Sequence, residues 1–223
     1  MQYHIQTDPI WEAFKADCEC PLCYIYSKYE SKLVNSYLND AVMEPDARIE
    51  ENKYGFCREH LRKLYNGQNK LGLSLQLNTR LQTIGAGLIV PSSYKQAAKQ
   101  ADELEKATKT CVICNSLDTL MTRYAQTVAQ MYSSEAEFEP LLNKSNGFCM
   151  AHYALLLKTA NYAGSKTKPY LSTLSYLQNR TISKVHSELD RFSMLFDYRN
   201  AGSGQRPDAE VVPMAIRKLT GPF

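Results

Sequence analysis

No stretch of this 223-residue chain approaches the roughly 20 consecutive apolar residues that cross a bilayer; the longest apolar runs are Ile84 to Val90 and Ala154 to Leu157. A membrane span is therefore not expected. Charge of one sign is also scarce. With 26 basic and 23 acidic residues the formal net charge is +3, and no single-sign field is available to attract nucleic acid. Arg58, Arg62 and Lys63 read as the solvated face of a helix. The first residues, Met1 to Pro21, contain neither a basic start nor an apolar core, so a cleaved export signal is not expected and the chain is expected to be cytoplasmic. Alternation of apolar and polar residues is rare, and hairpin turns are nearly absent. Gly202-Ser203-Gly204 lacks the strand before it and the lysine after it that a phosphate loop needs. Gly85-Ala86-Gly87 sits in helical sequence and suits close helix packing. No nucleophile, base and oxyanion group assemble, so an enzyme is not the first expectation.

What the chain does have is two copies of one ligand pattern. Cys20-Pro21-Leu22-Cys23 is followed by Gly55-Phe56-Cys57-Arg58-Glu59-His60, and Cys111-Val112-Ile113-Cys114 by Gly147-Phe148-Cys149-Met150-Ala151-His152. The gap from Cys23 to Cys57 is 33 residues and that from Cys114 to Cys149 is 34, and six of the seven cysteines are used. An internal duplication accounts for the match. Three thiols and one imidazole make up the ligand set of a closed tetrahedral zinc site. In a cytosolic chain such cysteines read as metal ligands before disulfides.

The chemistry follows from local geometry. A Cys-x-x-Cys turn converges two sulfurs on one ion, and a helix opening there adds favourable partial positive charge. Pro21 suits a first helical turn. Cys57 and His60, like Cys149 and His152, are three apart at a helix start and share a face. Gly55 and Gly147 permit a tight turn, and Phe56 and Phe148 are expected to pack over the metal. Zn²⁺ with three thiolates and a neutral imidazole carries a charge of −1, and four protein ligands leave no place for water, the structural kind of site. The simplest partition is local: Cys20, Cys23, Cys57 and His60 in one site, Cys111, Cys114, Cys149 and His152 in the other. Two zinc ions per chain are expected. Iron–sulfur ligation is the alternative, and a dithiol redox pair is a third reading.

Hydrophobic spacing predicts helices throughout: Leu22 to Val42, a short turn capped by Asp46, Cys57 to Asn66-Gly67, Lys70 toward Val90-Pro91, a connecting helix over 92–107, Val112 to Tyr132, Glu135 to Leu142, Cys149 to Tyr162, a break at Gly164 to Pro169, and Tyr170 to Tyr198. Asn200 to Pro207 has linker composition, and Asp208 can cap a last helix through Leu219. The fold expected is all-α, a helical bundle of two tandem metal-clamped repeats. The division expected is 1–107, 108–199 and 200–223, packed as one unit. Cys18 is the spare thiol, either a free cysteine or an alternate ligand or redox trigger beside the first site. His186 with Asp190 reads as a surface pair, and Asp197-Tyr198-Arg199 as a helix end or polar cluster.

The paired CPLC and GFCxxH motifs, with Phe196 to Arg199 and the closing Lys218-Leu219-Thr220-Gly221, resemble an uncharacterised bacterial family found mainly in clostridia and their relatives, over nearly the whole chain. Some members carry the label of ABC-transporter substrate-binding protein. This sequence, without an export signal or a lipobox-type cysteine, gives that label no support. The resemblance implies that the repeated motif is a family feature. The function expected is that of a zinc-binding helical protein whose partner is another protein, in an adaptor role. The alternative is a metal- or redox-linked enzyme or sensor using an iron–sulfur cluster or Cys18.

Overall fold

The computed structural model describes residues 7–196 and 208–221. The expected linker at Asn200 to Pro207 and the Asp197-Tyr198-Arg199 cluster lie outside the described residues. Among the described residues there are eleven α-helices and no strand: α1 (Asp8–Lys15), α2 (Pro21–Leu38), α3 (Pro45–Tyr54), α4 (Arg58–Asn66), α5 (Lys70–Gly87), α6 (Tyr94–Lys109), α7 (Val112–Ser134), α8 (Phe138–Lys144), α9 (Met150–Lys158), α10 (Thr167–Met194) and α11 (Val211–Thr220). Short 3-10 turns follow α2 at Asp40–Val42 and α9 at Ala160–Lys166. The protein is all-α.

Several boundaries differ from the sequence reading for identifiable reasons. Helix α3 begins at Pro45, with Glu44 as its N-cap; proline is pre-set for a first turn, so Asp46 lies inside the helix rather than at its cap. Helix α10 begins at Thr167 and takes in Pro169, whose missing N–H is no loss in a first turn. Helix α11 begins after Glu210, whose side chain makes no capping hydrogen bond, while Asp208 accepts a hydrogen bond from the Glu210 amide at 3.0 Å. Helix α1, eight residues long with Pro9 in its first turn, is an element the sequence reading did not contain.

The chain forms two compact units. One comprises Met1–Ser27 with Leu120–Phe223, and the other Lys28–Thr119. These units are cut differently from the sequence copies at 1–107 and 108–199, since the chain changes unit within α2 and again within α7.

The first unit is organised by aromatic side chains. Trp11 and Phe14 of α1 meet Phe138 of α8 edge-on at 5.7 and 5.0 Å, and Phe14 also meets Phe148 at 6.1 Å. Such T-shaped contacts place the positive ring edge on the negative face. Tyr170, Leu174 and Leu177 of α10 complete this core, all fully buried.

In the second unit α5 seals the end of α2. The Asn69 side chain accepts from the Gly72 amide at 2.9 Å and donates to the Leu38 carbonyl at 2.9 Å. Gln76 donates to the Tyr37 carbonyl at 2.6 Å. Orphan groups of two helix ends are thus satisfied by two side chains. A Cβ at residue 72 would lie 2.8 Å from the Leu38 carbonyl oxygen, so glycine is required for this approach.

Candidate metal centres

Each GFC turn is set by backbone that only glycine adopts readily. Gly55 has φ +64° and Gly147 φ +77°, values costly for a residue with a Cβ. Beyond each turn a helix starts with cysteine as its N-cap, Cys57 for α4 and Cys149 for α9. Cys23 and Cys114 stand in the first turns of α2 and α7. All four ligand pairs therefore sit at helix N-termini, where partial positive charge favours thiolates.

The eight residues converge in two groups, and the partition is not the local one. Cys20, Cys23, Cys149 and His152 form one group; Cys57, His60, Cys111 and Cys114 form the other. Each sequence copy gives its CxxC to one group and its CxxH to the other. The local assignment, Cys20 and Cys23 with Cys57 and His60, and Cys111 and Cys114 with Cys149 and His152, is corrected by this geometry.

Helix length explains the exchange. Helix α2 has 18 residues and α7 has 23, about 27 and 35 Å of rise, so each CxxC is followed by a long rod before its own CxxH. Phe56 docks edge-on against Tyr37 in the last turns of α2, with ring centroids 5.7 Å apart. At that point the chain meets the start of α7: the Val112 amide donates to the Gly55 carbonyl at 2.9 Å, and the Thr110 hydroxyl to the Tyr54 carbonyl at 2.6 Å. Local closure has little entropic advantage to set against this. Lengthening the closed loop from the 33-residue gap to that between Cys23 and Cys149 costs only about 1 kcal/mol.

The distances suit one ion per group. Tetrahedral zinc with ordinary bond lengths requires S···S edges of about 3.8 Å and S···N edges of about 3.6 Å. In the Cys20 group, Cys23 Sγ lies 3.5 Å from Cys149 Sγ, and His152 Nδ1 lies 3.6, 3.2 and 3.3 Å from Cys20, Cys23 and Cys149. In the Cys57 group, Cys57 Sγ lies 3.8 Å from Cys114 Sγ, and His60 Nδ1 lies 3.2, 3.3 and 3.4 Å from Cys57, Cys111 and Cys114. Both histidines present Nδ1.

Proton energetics differ between the groups. Burial works against a charged His152, yet the Cys149 and Cys20 sulfurs outweigh it and lift the imidazole up to about 9. Contacts from Cys20 and Cys23, then His152, hold Cys149 well below the usual thiol range. The Cys149 and Cys20 contacts, with burial, push Cys23 far above it. Burial lowers His60 despite the opposing Glu30 carboxylate. Burial also raises Cys114, reinforced by Cys111.

The surroundings are unequal too, and sequence reasoning missed them. His60 Nε2 lies 3.2 Å from Glu30 Oε1, off the line of a linear hydrogen bond, and Lys63 Nζ lies 2.5 Å from the other carboxylate oxygen. A carboxylate behind a ligating imidazole fixes the ring and raises its basicity. The equivalent position, seven residues beyond the second CxxC, is Met121. The turn before Cys149 is instead held by Gln178 of α10, buried, which accepts from the Phe148 amide at 3.1 Å and donates to its carbonyl at 2.9 Å. Arg80 of α5 has the matching part beside Gly55, donating to the Asn52 and Lys53 carbonyls.

A further segment closes on the Cys20 group. Lys218 of α11 is 2 % exposed; it donates to the carbonyls of Glu19, at 2.6 Å, and Asn146, and pairs with the Glu19 carboxylate at 3.1 Å. The Asn146 amide in turn donates to the Cys18 carbonyl at 3.2 Å. Gly221 follows in the left-handed region, φ +87°, and a Cβ there would lie 3.7 Å from Cys23 Sγ and 3.8 Å from Cys149 Sγ. Glu30, Gln178 and Lys218 carry no local signal in the sequence, because their importance comes from residues far along the chain.

Cys18 belongs to neither group. Its Sγ faces the Ala13 carbonyl at 3.7 Å, and burial, with the Cys20 thiol beside it, pushes it up to about 11. A thiol so placed is protonated at neutral pH and weakly nucleophilic. His186 and Asp190 form an exposed pair at 3.3 Å. Among the described residues, no helix is long and apolar enough to cross a membrane.

The chain belongs to a family described as a family of unknown function, DUF6062, whose pattern matches residues 1–223. No curated protein and no solved structure matches it.

Proposed function

We propose that the chain holds one zinc ion in each Cys3His group, and that these ions are structural clamps in a cytoplasmic protein whose work is to bind another protein. The observation that carries the zinc reading is the closeness of the ligands: within each group all four donor atoms lie within 4.8 Å of one another. A cage of that size suits one tetrahedral ion, whereas an iron–sulfur cluster spreads its ligands over several irons. Four protein donors leave no coordination position for a substrate or an activated water.

The structural reading also fits the placement of the ligands. Each group ties two helix starts from distant parts of the chain, so removing the ion would leave partly buried thiolates repelling one another. Structural zinc can supply about 10–16 kcal/mol of apparent binding energy, as large as the stability of a whole domain. The adaptor role rests on exposed tyrosine side chains such as Tyr65 and Tyr176, a residue type that protein interfaces use.

Elemental analysis and chelation test this reading together. The purified chain should be colourless and carry two zinc ions, and complete removal by a strong chelator should lower helicity and melting temperature. Unchanged circular dichroism and melting after complete removal would defeat the clamp. A brown protein absorbing near about 400 nm would replace zinc by an iron–sulfur cluster.

A further inference from the structure

Helix α5 has two lateral faces of different fate. Gly72, Leu73 and Gln76 are buried against the second unit's own core. Leu77, Leu81 and Ile84 recur at intervals of four and three, the spacing of a coiled-coil seam. At 100° per residue they fall in a strip about 60° wide, roughly a quarter turn from the buried face. Leu81 is 68 % exposed and Leu88 51 %. Leu88, the extended C-cap of α5, and then Ile89, Val90 and Tyr94 continue the exposed apolar surface beyond the helix end, with Val90 95 % exposed.

This surface is almost without charge. Between Lys70 and Lys95 the sequence holds one ionisable basic or acidic side chain, Arg80, and its guanidinium is spent on the Asn52 and Lys53 carbonyls. An acidic or basic partner would find no counter-charge here and would desolvate its own charges without return. A surface that is itself apolar, uncharged and of heptad spacing meets the requirement, and the chain carries one such surface in every copy.

We propose that the α5 seam, Leu77, Leu81 and Ile84, is the contact face of a homodimer, in which a two-fold axis packs α5 of one copy against α5 of another. Symmetric self-association needs one self-complementary patch per copy. The seam together with Leu88, Ile89, Val90 and Tyr94 exposes apolar side-chain area on the order of 500 Å², near the apolar share of a standard interface of about 800 Å² per partner. Gly85 assists the approach, because a Cβ there would meet nothing within 4 Å and its absence leaves room for a second backbone.

Sedimentation of the zinc-loaded full chain over about 1–200 µM tests the proposal. The expected result is a species of twice the 25.3 kDa chain mass, with Leu81→Glu weakening the dimer at least about a hundredfold while zinc content and circular dichroism stay as in the parent. Gln82→Glu, on the other side of α5, should leave the dimer intact. A parent chain that is monomeric across the range would overturn the proposal. So would a dimer that survives Leu81→Glu, or one that Gln82→Glu dissociates equally.

Discussion

Cys23 Sγ lies 3.5 Å from Cys149 Sγ, although 126 positions separate the two residues. That contact joins a CxxC from the first sequence copy to a CxxH from the second, and the reciprocal pairing of Cys57 with Cys114 at 3.8 Å completes the exchange. Cadmium-113 substitution reads the partition directly, because each ion gives its own resonance. Cys57→Ser and Cys111→Ser should both disturb one signal, and Cys20→Ser and Cys149→Ser the other. If Cys57→Ser and Cys20→Ser struck the same resonance, the exchanged arrangement would be wrong.

Glu30 stands behind one ligand and behind no other. Glu30→Gln should weaken metal holding at the Cys57 group by about 10- to 100-fold, the usual cost of losing such a carboxylate. The Cys20 group should keep its affinity. Competition with a coloured chelator would then show one ion released early and one late. A Cys57-group ion released no earlier than in the parent would mean that Glu30 does nothing for His60.

Burial pushes the Glu51 carboxyl up to about 7, although Arg48 and Arg80 pull it down. Its folded-state value is above the unfolded one, so the folded chain binds the extra proton between about pH 4.5 and 7. The associated stability is full below that window and is lost as pH rises through about 7. Glu51→Gln, neutral at every pH, should flatten this decline and raise stability at pH 8 by about 1–2 kcal/mol. Thermal melts of parent and variant at pH 5 and pH 8 provide the check, because the difference between them cancels the pH dependence of metal binding; a difference that does not move in favour of Glu51→Gln as pH rises would contradict the sign.

Lys218 fastens α11 through two carbonyls and one carboxylate. Lys218→Met keeps the apolar stem and removes the charge, leaving the acceptors unpaired, at a cost of about 2–3 kcal/mol. Hydrogen exchange should quicken across Val211–Thr220, while amides around Cys57 and Cys111 keep their protection. Unaltered exchange in α11 would show that the lysine does not hold the helix.

Sequence alone determined the helical character of the chain, the eight candidate ligands and the start of each ligand-bearing helix. Those features are local: hydrophobic spacing reports a helix face, Cys-x-x-Cys and Cys-x-x-His fix which side chains share that face, and Gly55 and Gly147 mark turns that need positive φ. The tertiary structure decided which half-site meets which. Loop closure distinguishes the two pairings by only about 1 kcal/mol, and helix length and docking overrule it: α2 runs 18 residues from Pro21 to Leu38, Phe56 settles on Tyr37 near the far end, and the amide of Val112 is there to meet Gly55. Glu30, Gln178 and Lys218 were invisible for the same reason, since each acts on residues that only packing brings within reach.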